Sequence, residues 1–181
     1  YRCPYGHYSP DGTPPLEQCG MACAQYLEYV LAQEGDVAAV IAEPMRAVPY
    51  VAPPGYWQAV REACNRHGAL LIFDEIPTGL GKTGRLFACE HEDVTPDILV
   101  LGKALGGGVL PLAAVVASGH LNVGGKWALG HYTHEKNPVL CAAGLATLDT
   151  KEAEGLVNHA TRLGNRMTDR LDRMAAEDSG I

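Results

Sequence analysis

Two lysines of this chain are set among glycines: Lys82 in TGLGKTGR, Thr78 to Arg85, and Lys103 in LGKALGGG. A Gly-Lys-Thr triplet suggests a phosphate-gripping loop, in which backbone N–H groups wrap the phosphates and the lysine supplies charge. That loop needs a glycine at position 76, where this chain has Ile76, and the adjacent Pro77 has no N–H to donate. Gly84, Arg85, Leu86 and Phe87 follow Thr83 with no helix opening. TGLGKTGR therefore reads as a tight glycine turn on the surface, with Lys82 a solvated charge. Lys103 stands differently. It follows the apolar run DILVLGK, and Asp74 likewise ends the apolar run ALLIFDE. Open α/β sheets collect their ligands at the carboxyl ends of strands. A carboxylate and an amine converging there suit pyridoxal phosphate: the amine forms an imine with the aldehyde, and the carboxylate keeps the pyridine nitrogen protonated. Either residue alone reads as a surface charge. Together with Gly106 to Gly108, which permit close backbone approach, they read as a site.

The elements that must position these groups follow from hydrophobic period. Pro15 to Gln33 has helical spacing, with Leu16, Cys19, Cys23, Tyr26, Leu27 and Val30 as its buried stripe. VAAVIAEP reads as a strand buried on both faces. GYWQAVREACNRHG places Trp57, Val60, Ala63 and Cys64 on one helix face, with Gly68 as the stop. ALLIFDE follows at once, so Val37 to Glu75 is a strand, helix and strand, the pattern of a parallel crossover. DILVLGK and LAAVVAS, Leu112 to Ser118, are further strands, and the short GGGVLP between them requires an antiparallel return. After Pro138 the pattern is helical throughout, and Leu156, Ala160, Leu163, Met167, Leu171 and Met174 mark a long amphipathic helix. The expectation is an α/β domain with a mixed, mostly parallel sheet wrapped by helices.

IFDEIPTGLGKTGRLFACEHEDVTPDILVLGKALGGGVLPLAAVV resembles the central signature of the class III (ornithine/4-aminobutyrate type) aminotransferases, pyridoxal phosphate enzymes of fold type I, and the similarity runs from about Val37 to Asp149. The resemblance implies that Lys103 is the Schiff-base lysine, Asp74 the partner of the pyridine nitrogen, and Ile76 an apolar residue packed on the cofactor ring. Thr133, in HYTHEKNPVLCAA, matches a threonine that reaches the cofactor phosphate of the other subunit in the family's homodimer. Glu43, in IAEP, matches an acid near the substrate pocket, and reads equally as a plain strand-end acid. The implied reaction is transamination between an amine or amino acid and a keto acid. A class III-like ammonia-lyase or phospho-lyase acting on a phosphorylated or phosphonate amine is the alternative. Three departures from the family pattern bear on that choice. Pro77 replaces a usual Gln that contacts the cofactor's phenolic oxygen, MRAVPYVAPPGYW replaces a glycine-rich turn, and His134, Glu135 and Lys136 replace an aromatic-glycine run. The resemblance covers the middle of such an enzyme, so residues 1–150 are expected to be part of a large cofactor-binding domain incomplete at both ends. Residues 151–181 are expected to form a connecting helix toward a C-terminal small domain, and little catalysis is expected from the 181 residues alone.

Bulk properties narrow the field further. The net charge of -7 argues against a nucleic-acid partner. There is no apolar run long enough for a membrane span and no signal-peptide pattern, so a cytoplasmic protein is expected. The six cysteines read as reduced thiols. A non-enzymatic alternative is an assembly module, either a degenerate half-enzyme or one holding zinc on Cys3, His7, Cys19 and Cys23. The helical spacing of the last two cysteines favours burial over ligation, and no metal is expected.

Overall fold

The computed structural model describes residues 20–46, 51–125, 127 and 132–177. Its elements in order are α1 (Ala22–Glu34), β1 (Ala39–Ala42), α2 (Tyr56–His67), β2 (Leu70–Asp74), β3 (Ile98–Leu101), β4 (Ala114–Ala117), α3 (Pro138–Ala153) and α4 (Leu156–Glu177). The four strands form one sheet in the order β1-β2-β3-β4. β1 and β3 both run parallel to β2, and β4 returns antiparallel to β3, with Leu101 opposite Ala114. This is the mixed sheet expected from the short GGGVLP connection.

One face of the sheet carries the core. Leu71 and Phe73 from β2 and Leu99 and Leu101 from β3 point into it and meet Trp57, Val60, Ala63 and Cys64 of α2. That is the α2 face expected from sequence. Trp57 packs edge-on against Phe73 with ring centroids 4.9 Å apart, and its indole N–H donates to the Pro44 carbonyl at 2.9 Å. The buried Trp thus both fills the core and fixes the chain leaving β1. Gly68 ends α2 in left-handed backbone, φ 69°, where a side chain would be strained. Asp97, ahead of β3, accepts from the Arg61 guanidinium and the Leu71 N–H, both at 2.7 Å, and so ties α2 to the strand edge.

Three expectations need correction. The buried face of α1 is Ala24 and Leu31 with Leu27 half-buried, whereas Cys23 and Tyr26 are exposed. ACAQYLEYVLAQE is apolar on most sides, so period alone does not set its rotation; docking on α2 does, with Glu28 bridging Arg66 at 2.8 Å. Leu16 and Cys19 lie outside the described residues. Secondly, β1 is not buried on both faces, since Ile41 is 66% exposed. Val115 of β4, opposite Val100, is exposed too, so no described element covers this second face of the sheet at those positions. Thirdly, the C-terminal helical stretch is two helices that part at Glu154 and Gly155, the latter at φ 60°. Asn137 caps the first, α3, by accepting the Val139 N–H at 2.9 Å, with Pro138 at the first helical position.

Candidate active site

The carboxyl ends of the parallel strands lie side by side. Glu43 follows β1, Asp74 ends β2 opposite Val100 of β3, and Gly102 and Lys103 follow β3. The register therefore brings Asp74, Ile76 and Lys103 to one edge of the sheet, as the sequence reading required. Asp74 is half-buried on the face away from the core. Its Oδ1 accepts the Ile76 N–H at 3.0 Å, and among the described residues nothing donates to Oδ2. Ile76 turns its side chain onto Gly102: a Cβ built there would stand 3.3 Å from Ile76 Cγ2. Glycine at 102 lets the chain pass Ile76 and enter the turn Lys103–Gly106. Lys103 itself sits in left-handed backbone, φ 43°, an uncommon conformation for a side-chain-bearing residue.

Lys103 opens into a cleft of about 770 Å³ between the glycine loop, α3 and the start of α4. Lys82, Lys151, Thr147, Thr150 and Leu156 share its walls. The sequence reading made Lys82 a solvated charge, and it is indeed exposed, but its wall is the wall of Lys103 as well. Asp74, Ile76, Glu43 and Thr133 do not line this cleft. Glu43 is exposed one position past β1. Thr133 is exposed in the turn that leads to the Asn137 cap.

The residue that sequence reasoning missed is Glu75. It is 1% exposed, on the core side of the sheet, and it accepts from Thr78 Oγ1 at 2.7 Å, Ala88 N–H at 2.9 Å and Cys89 N–H at 2.8 Å. A buried carboxylate persists only with such partners. Glu75 thereby pins both ends of the loop 78–89, which carries Lys82. Burial pushes the neighbouring Cys89 thiol up to about 12, and the Glu75 charge adds to this. The only sequence signal was a paired acid, Asp-Glu, at a strand end, where period-2 alternation sends the two side chains to opposite faces.

The loop's glycines are contact points. A Cβ on Gly81 would come 3.2 Å from Val157 Cγ2, and one on Gly84 2.8 Å from Thr161 Oγ1. Thr161 Oγ1 donates to the Gly84 carbonyl at 2.7 Å, and Lys151 Nζ to the Leu80 carbonyl at 2.8 Å. No helix opens after Thr83, as expected from the rejection of a phosphate-gripping loop. TGLGKTGR is the platform on which α3 and α4 rest. Of the cysteines and histidine weighed for zinc, Cys3, His7 and Cys19 fall outside the described residues. No group of three or more metal-ligating side chains occurs among those described.

Comparison with known proteins agrees with this architecture. The model of the class III aminotransferases matches residues 4–181. Over 140 residues the chain is 44% identical to an (R)-1-hydroxy-2-aminoethylphosphonate ammonia-lyase of Vibrio splendidus (strain 12B01), covering 77% of this chain and 29% of that protein. It superposes on the acetylornithine aminotransferase of Elizabethkingia anophelis with a TM-score of 0.78 at 40% identity, over 83% of this chain and 40% of the other. It superposes equally on a Toxoplasma gondii ornithine aminotransferase whose active site is partly occupied by pyridoxal phosphate, with a TM-score of 0.77 at 39% identity, over 83% of this chain and 35% of that one. The chain thus spans less than half the length of these relatives.

The residues present fit that cofactor. Among the described residues Asp74 keeps one carboxylate oxygen without a donor and Lys103 Nζ has no acceptor, and Ile76 offers an apolar flank beside Gly102. The parallel sheet, the carboxylate and lysine at its carboxyl edge, and the match across residues 4–181 agree: this chain belongs to the class III aminotransferases, a family of pyridoxal-phosphate-dependent enzymes of fold type I.

Proposed function

We propose that the whole protein is a pyridoxal-phosphate-dependent aminotransferase, moving an amino group from an amine or amino acid to a keto acid. The observation that carries this reading is the arrival of Asp74 and Lys103 at one sheet edge from neighbouring parallel strands. The cofactor, when bound, supplies an electron sink for the carbanion formed at the substrate carbon. Lys103 Nζ is its covalent anchor and the group that moves the substrate proton. Asp74 Oδ2 holds a proton at the ring nitrogen, while Oδ1 is kept in place by the Ile76 N–H. Ile76, beside Gly102, would supply the apolar surface for the ring. Glu43, exposed past β1, is assigned to the substrate side of the pocket.

We further propose a cytoplasmic homodimer in which Thr133 serves the partner subunit's cofactor phosphate. Its exposure supports that role. Cys64, Cys89 and Cys141 are free thiols, as a reducing compartment requires. No helix among the described residues is long and apolar enough to cross a membrane. Residues 1–150 are assigned to the cofactor-binding domain and 151–181 to a connecting helix, supported by the exposure of every residue from Thr161 to Glu177.

A second reading is kept by the 44% identity to an ammonia-lyase: the same lysine and carboxylate would serve an elimination that releases ammonia. The test is borohydride reduction of the full-length holoenzyme followed by peptide mapping. The pyridoxyl group is expected on Lys103, and Lys103→Ala should abolish it and cut turnover roughly 1000-fold. A label on Lys82 instead would sink the assignment. Ammonia release without any keto acid would select the lyase.

A further inference from the structure

In a chain of net charge -7, the cleft of Lys103 is lined by three lysines and no carboxylate. The three are not equivalent. Lys151 donates to the Leu80 carbonyl and so serves the packing of α3 on the loop. Thr147 donates to Ala143 of its own helix. Lys82 and Lys103 are left, and among the described residues neither has a hydrogen bond or ion pair. Two cations facing one cleft repel each other unless an anion joins them. Lys103 has a covalent task in the function proposed above. Lys82 has none.

Lys82 is nevertheless held at this wall. Its loop is pinned by Glu75 through Thr78, Ala88 and Cys89, and lies against α4 at Gly81 and Gly84. A merely solubilising lysine needs no such support. We propose that Lys82 is the oxyanion-holding residue of the Lys103 cleft, binding a carboxylate, phosphate or phosphonate of the molecule that reacts there. The inference rests on the proposed function and adds to it the residue that holds the acidic group of the substrate. Glu75 is the positioning residue, acting on Lys82 through the loop.

The test uses the full-length holoenzyme. Peptide mapping first locates the pyridoxyl label, and its absence from Lys103 removes the functional reading and this inference together. With the label on Lys103, Lys82→Met and Lys82→Arg are compared with the parent protein. The cofactor dissociation constant is read by visible absorbance. Binding of inorganic phosphate, methylphosphonate and 2-oxoglutarate is read by titration calorimetry, with pyruvate as the singly charged control. Loss of one charge-assisted contact weakens binding by about 10- to 100-fold. A loss of that size in Lys82→Met for an oxyanion of the panel, greater than for pyruvate and largely restored in Lys82→Arg, places the anion on the substrate. The same loss in cofactor affinity alone places it on the cofactor phosphate and overturns the substrate assignment. If Lys82→Met matches the parent within about twofold in every titration, the proposal is overturned while the assignment of Lys103 stands.

Discussion

Along β2 and the residue after it, Leu71, Phe73 and Glu75 enter the packed side of the sheet, while Leu70, Ile72 and Asp74 stay half-exposed on the other. The contrast is sharpest in the two adjacent acids. Glu75 accepts three hydrogen bonds from residues up to fourteen positions away, whereas Asp74 accepts one, from the N–H two residues ahead. The buried acid has its protein partners and holds a loop. The half-exposed acid keeps acceptor capacity in reserve at the edge where ligands gather. One face of the sheet is devoted to structure, and the other keeps groups available.

Glu75→Ala is the largest expected break in this contrast. It leaves the Ala88 and Cys89 N–H groups buried without acceptors, at roughly 1–3 kcal/mol each, so urea denaturation of the full-length protein should show a loss on the order of 3 kcal/mol. Asp74→Ala measured beside it should cost far less stability, because only one local hydrogen bond goes; equal losses would erase the distinction between the faces. A smaller effect is expected from Gly84→Ala. At φ 85°, with Thr161 Oγ1 2.8 Å from the added Cβ, the loop must shift from α4. About 1–2 kcal/mol should be lost, and amide exchange should quicken in α4 before it quickens in β2. Uniform exchange would mean that the loop is not the platform of that helix.

The smallest effect is in pH dependence, where the two limbs report different anchors. Burial would raise the Asp97 carboxyl, but the Leu71 N–H and the Arg61 guanidinium outweigh it and hold it below its ordinary 3.8. Its contribution is present above that value and lost as pH falls through the lower folded value. Cys89 is the reverse. With its folded value raised from 9.0 to about 12, its contribution is full below 9.0 and lost as pH rises toward 12. Asp97→Asn should therefore flatten the acid limb of the denaturation midpoint, and Cys89→Ala the alkaline limb. Unchanged limbs in the two variants would remove these groups as the titrating anchors.

What was legible in the sequence follows the same division. The α2 face was readable because Trp57, Val60, Ala63 and Cys64 recur at helical spacing with Gln58, Arg61, Glu62, Asn65 and Arg66 around them, so only one rotation buries them. The placement of Asp74 and Lys103 at one sheet edge was readable because each closes an apolar run. The rotation of α1 was not, since its sequence offers several apolar faces and only contact with α2 chooses among them. Nor was Glu75, because a carboxylate beside another carboxylate looks like surface until the loop that donates to it is folded back. The shared cleft of Lys82 and Lys103 depends on that same fold-back, which brings together positions that period and propensity treat separately.

Lys103 sits in backbone of positive φ, a region that costs an L-residue about 1–2 kcal/mol and glycine almost nothing. The position at the centre of the proposed chemistry is thus one where the fold itself would favour a different amino acid. Stability and activity draw in opposite directions at a single residue, and a lineage released from the need to catalyse would be expected to lose its lysine there first, gaining robustness as it did so.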